Sequence, residues 1–413
     1  MLGARGGIAA ALSSPWGVLA VTLAIQALMS MTVITIPAMA PAVAQALQVS
    51  PSLVGAYVGL VYVGATVASS IGGPLVLRYG ALRVSQFGLL ACAAGMALSA
   101  LWPTLAGICT GALLVGLGYG PITPASSHLL ARTTPPERAA LVFSIKQTGV
   151  PLGGVMAGAI VPPLVLAGGV DLALWSVAAG CIVCALLAQP PRAALDADRD
   201  PTRAVSPGSL WRPVRLVLGH PQLAPLAAYS FAFSAMQMCL AAFLVTYLHA
   251  HLGYSLVAAG AALSVAQAGG VVGRVAWGYV ADRWLGTGRM LAALAALMAV
   301  CAAATAALQA GVPRPLVLVL LAAFGASATG WNGVYLAEVA RRAPPGMAGT
   351  ATGGSLAITF FGVVLGPLLF SAVSALFDSE RAGFAMLAVA VAACAWRLWR
   401  GTRTGGPPAA AAS

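Results

Sequence analysis

The sequence predicts an all-α membrane protein with twelve transmembrane helices arranged as two pseudo-symmetric six-helix halves. Three observations lead there. Of 413 residues, 60% are hydrophobic and only 7% are charged, against about 25% charged in a soluble domain, so no water-facing surface of this size can be assembled from them. The apolar residues come in runs of about 20, the length a helix needs to cross a hydrocarbon core of about 30 Å. The basic residues fall in the gaps between runs, and almost all in alternate gaps.

Cutting the chain at charges, prolines and glycines gives spans at roughly 16–39, 53–76, 84–102, 105–131, 139–166, 172–189, 222–248, 254–280, 289–310, 314–340, 349–376 and 382–399. Placing both termini in the cytoplasm puts 17 of the 21 basic residues on the inner side and only Arg314 and Arg381 outside. That split obeys the positive-inside rule, and losing one span would scramble it. Ala38-Met39-Ala40 resembles a signal-peptide cleavage site, but Pro41 follows it. The run before it also exceeds an h-region of about 7–15 residues, so the first segment reads as a retained helix.

The hydrophilic stretch 190–221 divides the chain into an N-terminal half (1–189) and a C-terminal half (222–400), and 401–413 reads as a disordered tail. A net charge of +12 raises the question of nucleic acid, yet the arginines border apolar runs and form no patch with interleaved aromatics. They imply a lipid bilayer as partner and no nucleic acid. One Lys against twenty Arg in an Ala-rich chain suggests a bacterium of high GC content, hence the inner membrane. All seven cysteines lie inside apolar runs. Cys181 and Cys184 have C-x-x-C spacing but no second pair, so buried thiols are expected, with no metal and no cofactor.

The halves echo each other. Gly73-Pro-Leu-Val-Leu77-Arg78-Tyr-Gly80-Ala-Leu-Arg83 after the second span matches Gly278-Tyr-Val-Ala-Asp282-Arg283 after the eighth. Ala131-Arg132-Thr-Thr-Pro135-Pro136 after the fourth matches Ala340-Arg341-Arg342-Ala-Pro344-Pro345 after the tenth. Matched segments of this kind mark parallel repeats with a path between them.

In these motifs the chain resembles the major facilitator superfamily over essentially its whole length. The G-x-x-x-D-R motif of that family is present as Gly278, Asp282 and Arg283, whereas Leu77 replaces the Asp before Arg78 in the first half. The resemblance implies a secondary transporter whose motif Asp caps a neighbouring helix and latches a cytoplasmic gate. Asp282, Arg283, Gly278 and Arg78 are therefore gating candidates, with a carboxylate favoured at a positive helix end. Glu338 can join by pairing with Arg283 or Arg341, or form only a solvated ion pair. Gly149-Val-Pro151-Leu-Gly153-Gly154 and Gly362-Val-Val-Leu-Gly366-Pro367 resemble packing motifs of family antiporters, and close helix approach alone accounts for them.

Lys146 lies eight residues after Arg138, and Arg274 eight before Asp282. Each is therefore roughly 12 Å inside the boundary. A cation there costs at least about 2.5 kcal/mol and needs a cavity or a partner. All nine acidic residues, Glu137, Asp171, Asp196, Asp198, Asp200, Asp282, Glu338, Asp378 and Glu380, fall in loops or at helix ends. The missing anion is then the substrate, or else both side chains snorkel outward or bond carbonyls freed near Pro151. Arg274, with Gly278 and Asp282, is similar to the eighth-helix arginine of the monocarboxylate transporters; Gly270 stands where those proteins carry an acid.

Gln26, Gln147, Gln237, Trp331 and Asn332 are candidate substrate contacts, and Tyr57, Tyr62, Tyr119, Gln267 and Tyr335 are further polar residues within spans. His128, one turn before Arg132, is a candidate proton carrier. The expected function is transport of a small organic anion by a monomer, with H+ symport or anion exchange. The alternative is efflux of neutral or cationic molecules, although no membrane-embedded carboxylate is visible for cations. No constellation for an enzyme and no Walker motif is found.

Overall fold

In the computed structural model, residues 14–135, 138–205, 211–344 and 347–404 are described, and these contain helices and turns but no strand. The first span is α1 (Pro15–Ala38), followed by a short α2 (Ala40–Leu47). The second and third spans are α3 (Val54–Tyr79) and α4 (Ala81–Leu101). The fourth is broken into α5 (Leu105–Tyr119) and α6 (Ile122–Thr133), and the fifth begins as α7 (Ala139–Gln147). Next comes α8 (Gly149–Leu187), which holds the rest of the fifth span and all of the sixth. Straight, α8 would greatly exceed a bilayer. Instead Gly168 (φ −159°, ψ 26°) and Gly169 (φ 76°) interrupt it, and Gly153 and Gly180 both lie beside the stretch Ala27–Met31 of α1. Residues 27 positions apart would be about 40 Å apart on one helix, so the element folds back as a hairpin.

The hydrophilic segment carries α9 (Arg192–Leu195) and α10 (Trp211–Gly219). The second half follows as α11 (Leu223–Leu252), α12 (Leu256–Val280), α13 (Thr287–Ala306), α14 (Arg314–Gly330), α15 (Asn332–Arg342), α16 (Ala348–Leu376) and α17 (Glu380–Thr404). Here α14 and α15 together form the tenth span. Among the described residues eleven apolar segments are long enough to cross a membrane, and the hairpin in one of them brings the spans to twelve. The last helix runs to Thr404, four residues into the stretch expected to be disordered; 405–413 lies outside the described residues.

The helix ends follow local chemistry. Ser14, Thr104 and Ser255 accept hydrogen bonds from N–H groups three residues on, at 3.1, 3.2 and 3.2 Å, which starts α1, α5 and α12. Buried hydroxyls such as Thr22, Thr35 and Ser126 return hydrogen bonds to carbonyls one turn back, so these three are not left unsatisfied within an apolar span. Gly80 (φ 97°, ψ 145°) opens α4, and Gly286 (φ 75°, ψ 155°) opens α13 at the matching place in the second half. Only glycine occupies that region without strain. The shared conformation gives the repeat a backbone counterpart.

The halves close on each other at the face opposite the arginine-rich one. Ser371 donates to the carbonyl of Ser52 at 2.6 Å, and Ser264 to the carbonyl of Val155 at 2.8 Å. A Cβ on Gly158 would sit 2.4 Å from the carbonyl oxygen of Gly260, and one on Gly55 2.5 Å from that of Pro367. Toward the arginine-rich face the motif glycines Gly73 and Gly278, and Gly333 and Gly353 deeper in the halves, have open space where a side chain would point. The serine hydrogen bonds and glycine approaches between the halves thus gather at the face opposite the arginine-rich one.

Candidate functional site

Three spans break at one level. The fourth breaks at Gly120-Pro121, the fifth at Thr148 just before Pro151, and the tenth at Trp331. Each break frees main-chain groups from the helical ladder. Pro151 has no N–H, so the carbonyl of Gln147 lacks its usual helical donor. Arg274 on α12 supplies one: its Nη1 donates to Gln147 O at 2.6 Å, across the boundary between the halves. Its Nε donates to Thr329 O, at the tenth-span break, at 3.1 Å. The guanidinium is half-buried and turned to the interface between halves, with one terminal nitrogen still without a partner among the described residues.

Lys146 is 1% exposed. Among the described residues nothing accepts a hydrogen bond from its ammonium, and its strongest charged neighbour is Arg274, a second cation. The acidic side chains are engaged or placed elsewhere. Asp198 binds His128 and Arg132, Glu380 binds His251, and Glu338 binds Arg341 and Arg342. Asp171, Asp282 and Asp378 are exposed, and Glu137 lies outside the described residues. Of the two alternatives to an anion, the carbonyl one is realised in part by Arg274 and snorkelling by neither.

Neutral polar groups lie nearby, linked to Arg274 through Tyr119 and the Thr329 carbonyl. The Tyr119 hydroxyl sits among Gln26, Ser30 and Tyr62, within the field of Arg274. Gln26 donates to Ser30 at 3.2 Å and keeps its buried Oε1 unpaired. In the second half, Gln237 Oε1 accepts from Trp331 Nε1 and Asn332 Nδ2, both at 3.2 Å. Ser30, Tyr62, Tyr119, Gln237, Gln267 and Thr329 contribute to one cavity of about 30 Å³ between the halves. The Gln147 side chain is half-buried beside Lys146, and only its carbonyl is engaged. Thr329, unremarkable in the sequence, enters through its carbonyl; the signal was the Gly330-Trp331 break.

The gating candidates separate. Asp282 and Arg283 are exposed and their side chains make no hydrogen bond or ion pair among the described residues, and Gly278 faces open space. Among the described residues no helix N-terminal N–H donates to Asp282. Glu338 is fully buried, not solvated: it takes Arg341 at 2.7 and 2.9 Å, Arg342, and the hydroxyl of Thr287 at the start of α13, and does not meet Arg283. Arg78 donates to the carbonyl of Arg203 at 3.2 Å. His128 belongs to the ion cluster with Asp198 and Arg132, not to the Lys146–Arg274 pair.

In the first half the segment between the halves supplies what the motif lacks. Asp196, 4% exposed, accepts from the N–H groups of Leu82 and Arg83 at 2.8 and 3.0 Å and so caps α4. Asp200 N–H donates to the carbonyl of Leu77, the residue standing in the Asp position. Burial pushes the Asp196 carboxyl above its ordinary range, opposed by those two N–H groups and Arg192.

The Major Facilitator Superfamily sequence model matches residues 19–367. The chain belongs to the major facilitator superfamily. That family and this fold are those of transporters, not enzymes, and among the described residues no cluster of His, Cys, Asp and Glu could hold a metal. Two uncharacterized MFS-type transporters of Mycobacterium tuberculosis are 29% identical over 268 residues, 63% of this chain. The match spans 57% of the length of those curated relatives. Among solved structures, a bacterial homolog to the human lysosomal transporter Spinster, inward-facing and occupied, superposes with a TM-score of 0.75 at 17% identity, covering 95% of this chain and 98% of that one. The nucleoside transporter NupG (D323A mutant) gives 0.74 at 15% (92% and 99%), and the peptide transporter POT in complex with sulfate gives 0.73 at 17% (97% and 98%). At these identities the likeness is one of fold.

Proposed function

We propose that this superfamily member is a secondary transporter carrying a small organic anion, a carboxylate by preference, across the bacterial inner membrane by alternating access, with both termini cytoplasmic. One observation carries the substrate class: Lys146 is buried between the halves with no acceptor among the described residues and a second cation as its charged neighbour. A charge in that position is costly unless something neutralises it. A carboxylate bound there meets the Lys146 ammonium and competes with two neutral carbonyls for Arg274. A charged acceptor makes the stronger hydrogen bond. Binding would therefore release Arg274 from Gln147, loosening a hydrogen bond that joins the halves.

The arginine-rich face is the cytoplasmic one by the positive-inside rule. Asp282, Arg283 and Gly278 would form their latch when that face closes. Gln26, Tyr119, Gln237 and Asn332 suit the uncharged part of the solute. The cationic-efflux alternative fares worse, because two cations repel such a cargo. A monomer suffices for this mechanism. The test is uptake into proteoliposomes of organic anions, cations and neutral solutes, with and without an imposed pH gradient. Saturable uptake of a carboxylate, lost in Lys146→Gln, is expected. Uptake confined to cations or neutral solutes overturns the anion assignment, and the gradient decides whether H+ takes part.

A further inference from the structure

A second cavity lies far from the central site, on the lipid-facing surface between the third and sixth spans. It measures about 270 Å³ and is lined by Arg83, Gln86, Phe87 and Leu90 of α4, and by Ile182, Ala185, Leu186, Gln189 and Arg192 of the sixth span and its end. Its lining is graded along the membrane normal. The two guanidinium groups and the two glutamines stand at the arginine-rich face, and the apolar side chains continue inward for about two turns. Gln86 donates to Ala185 O at 2.9 Å and Gln189 Oε1 at 2.8 Å, closing the floor between the helices.

Arg83 and Arg192 are both half-buried, and among the described residues neither side chain has a hydrogen bond or ion pair. The nearest carboxylate, Asp196, feels Arg192 but is already committed to the N–H groups of Leu82 and Arg83. Two converging cations above an apolar slot match a phosphate headgroup above an acyl chain. A soluble anion would leave the slot unfilled, and a neutral lipid would leave the arginines unanswered.

We propose that the groove between the third and sixth spans is a binding site for one anionic phospholipid of the leaflet at the arginine-rich face, its phosphate held by Arg83 and Arg192 and an acyl chain laid against Phe87, Leu90, Ile182 and Leu186. The site is separate from the proposed substrate path and does not depend on it. Because α4 starts at the Asp196 cap, the lipid would brace the part of the first half to which the 190–205 segment is fastened.

The experiment is native mass spectrometry of the purified full chain with added phosphatidylglycerol or phosphatidylcholine. The wild type should retain one phosphatidylglycerol in clear preference to phosphatidylcholine, with the preference falling about fivefold for each arginine removed in Arg83→Gln and Arg192→Gln. Leu90→Trp, which fills the slot and keeps both charges, should also lose the bound lipid, and it serves if the double arginine variant fails to fold. Arg199→Gln with Arg289→Gln removes the same net charge away from the groove and should leave retention unchanged. Equal retention of both lipids by the wild type, or an equal loss in the Arg199/Arg289 control, overturns the proposal. Neither readout involves transport, so failure here and failure of the anion assignment are told apart.

Discussion

Asp196 and Leu82 are 114 residues apart in sequence and joined by a 2.8 Å hydrogen bond, the carboxylate of one accepting the main-chain N–H of the other. With the 3.0 Å bond from Arg83, it satisfies two of the free N–H groups at the start of α4. Asp196→Ala should cost about 1–3 kcal/mol, read as a lowered unfolding temperature in detergent. The Asp198 contacts to His128 and Arg132 should persist.

Gly80 adds an internal comparison. A Cβ there would sit 2.3 Å from the Asp196 carboxyl carbon, whereas the matching Gly286 has open space. Both have positive φ, so alanine strains each by about 1–3 kcal/mol. Gly80→Ala should be clearly the worse of the two in thermal unfolding, and equal losses would mean that the cap adds nothing.

The same carboxylate predicts a pH dependence. Its raised pKa means that, from the ordinary 3.8 up to its folded value, the native protein holds a proton that the unfolded chain has released. Stability contributed by Asp196 therefore falls as pH rises through that window. Asp196→Asn should flatten this slope; an unchanged slope would assign it to another group.

Gly158 tests the closure. A β-branched side chain there meets the Gly260 carbonyl at once, so Gly158→Val should keep the closed face from shutting. Cysteines introduced at Ser52 and Ser371 should then label readily with a membrane-impermeant maleimide, while in the parent they resist it.

Much of the fold was legible because membrane-spanning segments declare themselves by length and charge placement. The fifth and sixth spans needed the glycine pair at 168–169 to be separated, and the sequence boundaries at 166 and 172 bracket it. Lys146 and Arg274 stood out because a charge inside an apolar run is conspicuous. What they would bond to was less visible: main-chain carbonyls carry no side-chain signature, and only Pro151 hinted that the Gln147 carbonyl was free. Asp196 and Asp198 were the least legible. In a polar segment an acid looks like any solvated charge, and their roles depend on a tertiary contact with spans more than sixty residues away. Leu77, standing in an acidic position, was the one clue that a carboxylate had to come from somewhere else. Of the readings open for Glu338, the pairing with Arg341 is present, whereas the solvated surface pair is not, since the carboxylate is buried beside the Thr287 hydroxyl at the start of α13.

The central claim is that Lys146 is kept for a negative cargo at the expense of stability. The most direct measurement pairs thermal unfolding with carboxylate uptake for Lys146→Met, a change of similar length that removes the charge. A buried cation without a partner is destabilising, so the variant should unfold at a higher temperature than the parent and lose uptake by at least about a hundredfold. A variant that transports normally, or one that is both inactive and less stable, would contradict the account.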